Sequence, residues 1–214
     1  MNGRSESLEL RRTIWGWTAA LLLLAVVVEL KLSHPLDEAI TLWLQTWRTS
    51  ELDAAARIVT FLGSFPFTLA VIAIMSVGWW KSGQRATLQA FWRAGMLGIA
   101  IEVVLRFAVA HWRPDTTSVP LATDWVNRFE LSGFTSGHAL RSAFLGGWYC
   151  DTLQRQHRAF SLPAAVAIGL AVGLVGLTRI YLQRHWTTDV VGAWVVAALV
   201  LALAERWRAA RIEP

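Results

Sequence analysis

Apolar stretches near the length of a bilayer crossing recur along the chain, separated by shorter polar segments. A transmembrane helix needs about 20 predominantly apolar residues, and six stretches meet or approach that length. They span roughly residues 13–30, 58–80, 87–110, 137–153, 159–177 and 187–205. The pattern predicts an all-α fold, a polytopic membrane helical bundle with six transmembrane helices in a single domain over residues 1–214.

Residues 35–56, between the first two predicted crossings, follow a different pattern. Leu36, Ile40, Trp43 and Trp47 recur at steps of four, three and four, which places them on one helical stripe. We expect a short helix that lies in the outer membrane interface. A partner-binding helix is the alternative.

Composition and charge agree with a membrane protein. The chain has 214 residues, 55% of them hydrophobic, and a mean hydropathy of +0.42, which excludes an ordinary soluble domain. The net charge of +5 could suggest nucleic acid, but the basic residues lie between the crossings and follow the positive-inside rule. Both termini are then cytoplasmic. The basic residues assigned to that side are Arg4, Arg11, Arg12, Lys81, Arg85, Arg155, Arg158, Arg206, Arg208 and Arg211.

Cysteine and tryptophan usage adds two limits. Cys150 is the only cysteine, so the chain can form neither an intrachain disulfide nor a cysteine-based metal cluster. Most of the 13 tryptophans flank predicted crossings, Trp79 and Trp186 among them. Such positions are typical of an interfacial aromatic belt, and no tryptophan is assigned a catalytic role.

The third predicted crossing ends in two arginines. Arg106 and Arg113 are seven residues apart, about two helical turns, and should project from one face at its outer end. Arg106 lies within the membrane, where a charge costs roughly 2.5–3.5 kcal/mol. Glu102 lies four residues earlier and could pair with it. The residues fit an anion site, or an internal salt bridge with a snorkelling Arg113.

Ser136-Gly137-His138 opens the fourth predicted crossing after a polar loop. Serine favours the N-cap position, and glycine lets the backbone approach a ligand closely. The free N–H groups of a helix start and the positive end of its dipole attract an anion. The motif fits a phosphate site beside His138, or an ordinary capped helix start with an interfacial histidine.

Arg179 ends the fifth predicted crossing, and His185 and Asp189 begin the sixth. On a helix the last two would lie one turn apart. A carboxylate there can accept the proton of one imidazole nitrogen and leave the other nitrogen to attack. A surface histidine bonded to a neighbour is the alternative, which an aspartate inside a crossing disfavours.

The predicted topology brings these segments to one membrane face. The third and fifth crossings end outside, where the fourth and sixth begin. The long polar loop over residues 111–136 lies on that side and has the composition of a lid or binding loop. Arginines and histidines gathered at one bilayer surface predict a phosphate site.

These residues resemble the type 2 phosphatidic acid phosphatase superfamily, membrane lipid phosphatases related to the vanadium haloperoxidases. The family's signatures are a lysine followed seven residues later by Arg-Pro, then Pro-Ser-Gly-His, then Ser-Arg with His six and Asp ten residues after that Arg. The matching positions are Arg106 with Arg113-Pro114, then Thr135-Ser136-Gly137-His138, then Thr178-Arg179 with His185 and Asp189. The six crossings are also similar to that family.

Three positions depart from the signatures. Arg106 replaces the lysine, which keeps the charge but changes its hydrogen-bond geometry. Thr135 replaces proline, and Thr178 replaces serine. No reacting group is lost, so the departures bear on substrate preference more than on activity. His111 and Arg141 border the signatures and could contact a headgroup, but the resemblance assigns them no role.

The resemblance implies a role for each site residue. His185 attacks phosphorus and forms a phosphohistidine, Asp189 orients its imidazole, and His138 protonates the leaving oxygen and then activates water. No metal or other cofactor is expected. Neutral His185 with protonated His138 predicts a bell-shaped pH dependence of turnover. The residues implied to bind the phosphate oxygens are Arg106, Arg113, Ser136, Gly137 and Arg179.

The expected protein is therefore an integral lipid phosphatase of the cell membrane whose site faces the outer side, and the resemblance implies a bacterial source. Candidate substrates are phosphatidic acid, phosphatidylglycerol phosphate and a polyprenyl diphosphate such as the undecaprenyl carrier. No nucleic-acid partner is expected. A phosphotransferase that passes the group to a second lipid is the runner-up. A headgroup-binding transporter or scaffold is a third interpretation, which the paired His185 and Asp189 and a separate His138 disfavour.

Overall fold

The computed structural model describes residues 3–114, 132–155 and 162–209, which form eight helices. Within these residues the one pairing of extended backbone is an isolated bridge between Trp112 and Ser132. The all-helical architecture expected from the sequence is confirmed. The helices are α1 Gly3–Glu29, α2 His34–Gln45, α3 Ser50–Phe61, α4 Phe65–Lys81, α5 Arg85–Ala108, α6 Gly137–Arg155, α7 Leu162–Tyr181 and α8 Thr187–Ala209.

Five stretches of the described chain are long and apolar enough to cross a membrane, by length and composition alone. The fourth predicted crossing, 137–153, is a helix, α6, but it is not among the five. It carries Arg141, Asp151 and Arg155, which lower its hydropathy. The five stretches are Leu8–Glu29, Ser50–Lys81, Arg85–Ala108, Leu162–Tyr181 and Thr187–Arg208.

Protein contacts account for the polar residues of α6. Arg141 donates from Nε and Nη2 to the carbonyl of Gly63, at 3.1 and 2.9 Å. At the other end of the helix, Asp151 pairs with Arg155 at 2.9 Å and with Arg208 of α8 at 2.7 Å. Helix α6 packs mainly against α8 and α7. Its charged side chains are bonded to other groups of the protein.

The second predicted crossing, 58–80, is interrupted in the structure. Residues 62–64 form a turn between α3 and α4, and the Ser64 hydroxyl accepts a backbone N–H of the first turn of α4 at 3.5 Å. Gly63 lies against the start of α6, where a Cβ would come within 2.8 Å of the His138 carbonyl oxygen. Hydropathy alone hides this turn, although Gly63, Ser64 and Pro66 are typical of a helix end, an N-cap and a first helical turn.

The stretch before that crossing forms the short helix α2 and the first part of α3. Leu36 and Trp43 of α2 are 63% and 60% exposed, whereas Asp37 and Thr41 are buried. Leu36 and Trp43 therefore point away from the bundle, whereas Ile40 of the same stripe packs against its core.

Helix α8 is central and packs against α1, α5 and α6. Beside it, four aromatic rings form a cluster whose contacting pairs have centroids 5.0–6.0 Å apart: Trp79, Phe91, Phe144 and Trp148. Trp79 thus belongs to the core, and Trp186 is also buried, so neither is part of an interfacial belt. The buried small side chains of α8 include Ala193, Val196, Ala197, Val200 and Ala204.

Replacement of Gly176 in α7 tests the close approach of α7 and α8. A Cβ at Gly176 would come within 2.7 Å of both Trp194 and Val190. We expect Gly176→Ala to destabilise the protein by about 1–3 kcal/mol through overpacking. The melting temperature in detergent should then fall by roughly 2–12 °C. Gly173→Ala is the control, because a Cβ at Gly173 meets no atom within 4 Å. Equal melting temperatures for the two variants would contradict the packing.

Candidate active site

Helix ends from distant parts of the chain meet at one end of the bundle. Ser136, just before α6, donates its backbone N–H to the carbonyl of Asp189 in α8 at 3.1 Å. Arg179, near the end of α7, donates to the Thr60 hydroxyl of α3 at 3.2 Å. Arg106, near the end of α5, donates to two carbonyls of the segment before α6. The structure therefore brings the three predicted segments together.

His185 and Asp189 are in direct contact and both are buried. Nδ1 of His185 lies 3.3 Å from Oδ2 of Asp189, which also accepts the backbone N–H of Trp186 at 2.9 Å. Because α8 begins at Thr187, His185 precedes the helix and the pair spans the helix start. With Nδ1 facing the carboxylate, Nε2 is the nitrogen that can attack.

The environment of His185 favours its neutral form. Burial lowers the pKa of His185 to about 4, and the hydrogen bond and charge of Asp189 oppose this only in part. The positive charges of Arg179 and Arg113 lower it further. The imidazole is therefore neutral at physiological pH, which is the form that can act as a nucleophile.

The segment Ser136-Gly137 combines a buried hydroxyl with a close backbone approach. Helix α6 begins at Gly137, and the Ser136 hydroxyl is buried without a hydrogen-bond partner among the described residues. It therefore does not cap α6 as the sequence suggested, and a buried unpaired hydroxyl is suited to bind a ligand oxygen. A Cβ at Gly137 would come within 2.7 Å of Oε1 of Glu102, so glycine allows this segment to pack on α5.

Positive charge surrounds both histidines. The charged groups that act on the His138 ring include Arg179, Arg141 and Arg113. Arg179 and Arg113 act on His185 as well. The two imidazoles therefore share the field of the same two guanidinium groups, which would attract a phosphate held beside them.

Arg113 reaches the site by a different route from the one predicted. Helix α5 ends at Ala108, so Arg113 lies five residues beyond it and shares no helical face with Arg106. The predicted common face is wrong because the chain leaves the helix at Val109, whose backbone is extended.

Arg106 is bound to protein groups in the structure. Its Nη2 lies 2.7 Å from Oε1 of Glu102, the internal salt bridge that the sequence allowed. The Arg106 guanidinium also donates from Nη1 to the carbonyl of Ser132 at 3.3 Å and from Nη2 to the carbonyl of Thr135 at 3.4 Å. These contacts hold the segment before α6 against the end of α5.

Two residues without an assigned role contact the first turn of α8. Nδ1 of His111 is 2.7 Å from Oδ1 of Asp189. Asp37 of α2 is fully buried and accepts the backbone N–H and the hydroxyl of Thr188, at 2.9 and 2.7 Å. The sequence signal for Asp37 was weak, since an aspartate on the polar side of an interfacial helix is expected to face water. His111 carried no signal beyond its position between two signature residues.

The remaining predicted positions divide into two groups. Arg141 is bound to the Gly63 carbonyl, and the hydroxyl of Thr178 bonds to the Val175 carbonyl within α7 at 2.7 Å. Residues 115–131 of the predicted lid loop lie outside the described part of the chain.

Within that described part, no group of three or more His, Cys, Asp or Glu side chains is arranged to hold a metal ion.

The arrangement is suited to hold an anionic group beside an imidazole. It offers a neutral imidazole oriented by a carboxylate, a second histidine at a helix start, two guanidinium groups and an unpaired hydroxyl. A phosphoryl group matches these features. Its oxygens accept hydrogen bonds from guanidinium groups and backbone N–H groups, and an imidazole nitrogen can attack its phosphorus.

Two solved structures share the fold of this chain. One is the first transmembrane PAP2-type phosphatidylglycerolphosphate phosphatase from Bacillus subtilis, with 22% identity and a TM-score of 0.70 over 94% of this chain and 98% of that chain. The other is LpxE from Aquifex aeolicus, with 17% identity and a TM-score of 0.60 over 80% of this chain and 95% of that chain. The sequence model of the PAP2 superfamily matches residues 89–213, which is more than half of the chain and includes every signature residue. The chain therefore belongs to the PAP2 superfamily.

Proposed function

We propose that this protein is an integral membrane lipid phosphatase. It removes the terminal phosphate of a lipid phosphate monoester or diphosphate through a phosphohistidine at His185. The buried contact between His185 and Asp189 carries the proposal. Binding a headgroup for transport would require positive charge, but it would not require a neutral imidazole held by a carboxylate.

In the first step, the Nε2 lone pair of His185 attacks phosphorus in line with the leaving oxygen. The P–N bond forms as the bond between phosphorus and the lipid oxygen breaks, and His138 delivers its proton to that oxygen. The phosphorylated imidazole retains its Nδ1 proton and becomes positive. The carboxylate of Asp189 balances that charge.

In the second step, His138 accepts a proton from water while the water oxygen attacks phosphorus. The P–N bond breaks, its electrons return to His185, and inorganic phosphate leaves. A lipid hydroxyl in place of water would make the protein a phosphotransferase, the alternative that shares this site.

The proposed phosphate ligands surround the two histidines. The Ser136 hydroxyl and the Gly137 N–H donate to the phosphate oxygens at the start of α6. Arg113 and Arg179 neutralise charge in the transition state, so we propose that the reaction needs no metal ion. Arg106, which also holds the segment before α6, completes the set.

We propose that the chain crosses the membrane six times as a single domain. Helix α6 would be the crossing that hydropathy does not identify, with lipid kept from its charges by α7 and α8. Lys81, Arg155 and Arg206 lie at the helix ends away from the site and would mark the cytoplasmic side. The site then faces outward, and the exposed Leu36 and Trp43 of α2 enter the outer interface.

A groove beside the site suits a lipid chain. It lies between α4, α5 and α6, and is lined almost entirely by apolar side chains. Leu69 and Met96, which line it, are also exposed on the side of the bundle. The groove reaches Arg141, one helical turn from His138. A substrate in the membrane could therefore place its chain in the groove and its phosphate at the histidines.

Loss of the nucleophile should remove activity. We expect His185→Ala to lower phosphate release by roughly 10³-fold or more. Release is measured with purified protein in detergent and chelator, using phosphatidic acid, phosphatidylglycerol phosphate and a polyprenyl diphosphate without a second lipid. With His138→Ala and an aryl phosphate, whose leaving group needs no proton, hydrolysis should slow by roughly 10²–10⁴-fold and phosphoenzyme should accumulate. Mass spectrometry should locate the phosphate on His185.

His34→Ala is the matched control for these variants. His34 is an exposed histidine whose ring packs against Trp186 near the site, with centroids 5.3 Å apart. Unchanged release from His185→Ala, or a phosphate on another residue, would disprove the assigned nucleophile. Release that disappears only on addition of chelator would disprove the metal-free mechanism.

The acid limb of the pH–rate profile should lie at an unusually low pH. Because the pKa of His185 is lowered to about 4, protonation removes the nucleophile only as the pH falls through that value. The rate should therefore rise through about pH 4 as His185 loses its proton, and then level off. Steady-state rates from pH 3 to 9 test this, and an acid limb near the ordinary histidine value would contradict the assignment.

Narrowing the groove should discriminate between substrates. A Cβ at Gly95 would meet Phe144 at an ordinary 3.5 Å, so a longer side chain must extend into the groove. We expect Gly95→Leu to raise KM for a long-chain lipid phosphate by roughly tenfold. A short-chain, water-soluble analogue should keep its wild-type KM. Gly78→Leu is the control, since Gly78 is exposed on α4 with no atom within 4 Å of its Cβ position. Equal effects on both substrates would argue against the groove.

A further inference from the structure

His185 and Asp189 are the end of a longer buried row of charged groups. Oδ1 of Asp189 is 2.7 Å from Nδ1 of His111, and Oδ2 is 3.3 Å from Nδ1 of His185. On its other side, Nε2 of His111 lies 4.0 Å from Oδ2 of Asp37. Carboxylates and imidazoles thus alternate along Asp37, His111, Asp189 and His185, and each is 6% exposed or less.

We propose that His111 is a positioning residue for the phosphatase reaction. Placed between Asp37 and Asp189, it fixes the Asp189 carboxylate and thereby the position and charge state of the His185 imidazole. This role rests on the proposed function. It belongs to a residue to which the family signatures assign no role.

The geometry around Asp189 divides its two oxygens between the two histidines. His111 occupies Oδ1 at the shorter distance, while His185 and the Trp186 N–H share Oδ2. A carboxylate pinned at one oxygen presents the other in a fixed direction. Gly133 closes the arrangement, because its N–H donates to the His111 carbonyl at 2.7 Å and a Cβ would come within 2.5 Å of Oδ2.

Three carboxylates face His111, each from a different helix. They are Asp189 of α8, Asp37 of α2 and Glu29 at the end of α1, whose Oε2 accepts the Ala110 N–H at 2.8 Å. Burial lowers the pKa of His111, but the hydrogen bond to Asp189 and the three negative charges outweigh it, so the pKa is raised on balance. His111 is therefore charged over more of the neutral range than an ordinary histidine.

Asp37 connects this row to the helix that carries Asp189. Its two oxygens accept the backbone N–H and the hydroxyl of Thr188 in the first turn of α8. A carboxylate at a helix start is favoured by the unpaired N–H groups and the helix dipole. Asp37 lies outside residues 89–213, so the part of the chain before the family match contributes directly to the site.

The charge of His111 has a predictable effect on His185. While His111 is positive, it compensates part of the Asp189 charge and repels a second positive imidazole. Without it, the full charge of Asp189 acts on His185, whose protonated form becomes more favourable. A residue with only a packing role would not change the proton affinity of His185 in this way.

Titration of the histidine side chains tests the proposal without turnover. The chain has five histidines, so ¹⁵N-histidine NMR of the detergent-solubilised protein can follow each one against pH. His111→Asn keeps an amide N–H near the Nδ1 position and removes the charge. We expect the His185 midpoint and the acid limb of enzyme phosphorylation to move up by about 1 pH unit. The turnover number should fall roughly 10–100-fold through loss of positioning, with KM unchanged.

Two further variants make the result specific. Asp37→Asn removes one of the charges facing His111 and should lower the His111 midpoint. His34→Asn removes the other imidazole that packs against Trp186 and should leave the His185 midpoint unchanged. If His111→Asn does not fold, the wild-type titration decides, because a His111 midpoint below 6.5 overturns the proposal.

An unchanged His185 midpoint in folded His111→Asn protein also overturns it. A wild-type protein that releases no phosphate from any lipid would instead disprove the proposed function. In that case the NMR titration still shows whether His111 sets the proton affinity of His185.

Discussion

The buried carboxylate of Asp189 is the group on which the arrangement of the site depends. Its side chain contacts two imidazoles and a backbone N–H, and its carbonyl accepts the Ser136 N–H. These contacts attach the start of α8 to the start of α6 and to the segment after α5. An uncompensated charge at full burial would be strongly destabilising, so its partners must be in place whenever the carboxylate is ionised. The same charge that organises the helix ends therefore also orients the His185 imidazole.

Close backbone approach makes this concentration of charge possible. Gly133 lies against Asp189, Gly137 against Glu102 and Gly63 against His138, each at a distance that leaves no room for a Cβ. Hydrogen bonds from Arg106 and Arg141 to backbone carbonyls hold the same turns. Guanidinium groups thus serve two purposes in this protein. Some bind the scaffold, and others, such as Arg113 and Arg179, supply the field around the histidines.

The sequence predicted most of the helices and the segments that meet at the site, because hydropathy and spacing record local properties of the chain. The turn at residues 62–64 has local signals in Gly63, Ser64 and Pro66, but the continuous hydropathy of the run outweighs them. The sequence pattern placed Arg113 on a helix that ends at Ala108, because a seven-residue spacing carries no information about where a helix stops. No local pattern marks Asp37 as buried, and its burial follows from its contact with α8, which only the tertiary structure creates. Long-range contacts account for the last of these differences.

Contributions to the site are unequally distributed along the chain. The groups proposed to react all lie within residues 89–213, whereas the earlier half supplies Asp37, Thr60 and the Gly63 carbonyl. None of these three reacts, yet each is bonded to a residue that lies in or beside a signature. In a low-dielectric interior, a charge two contacts away from an imidazole still acts on its proton affinity, since little water is present to screen it. The N-terminal helices can therefore contribute to the electrostatics of a site whose proposed reacting groups they do not contain, as the buried carboxylate of Asp37 does beside His111.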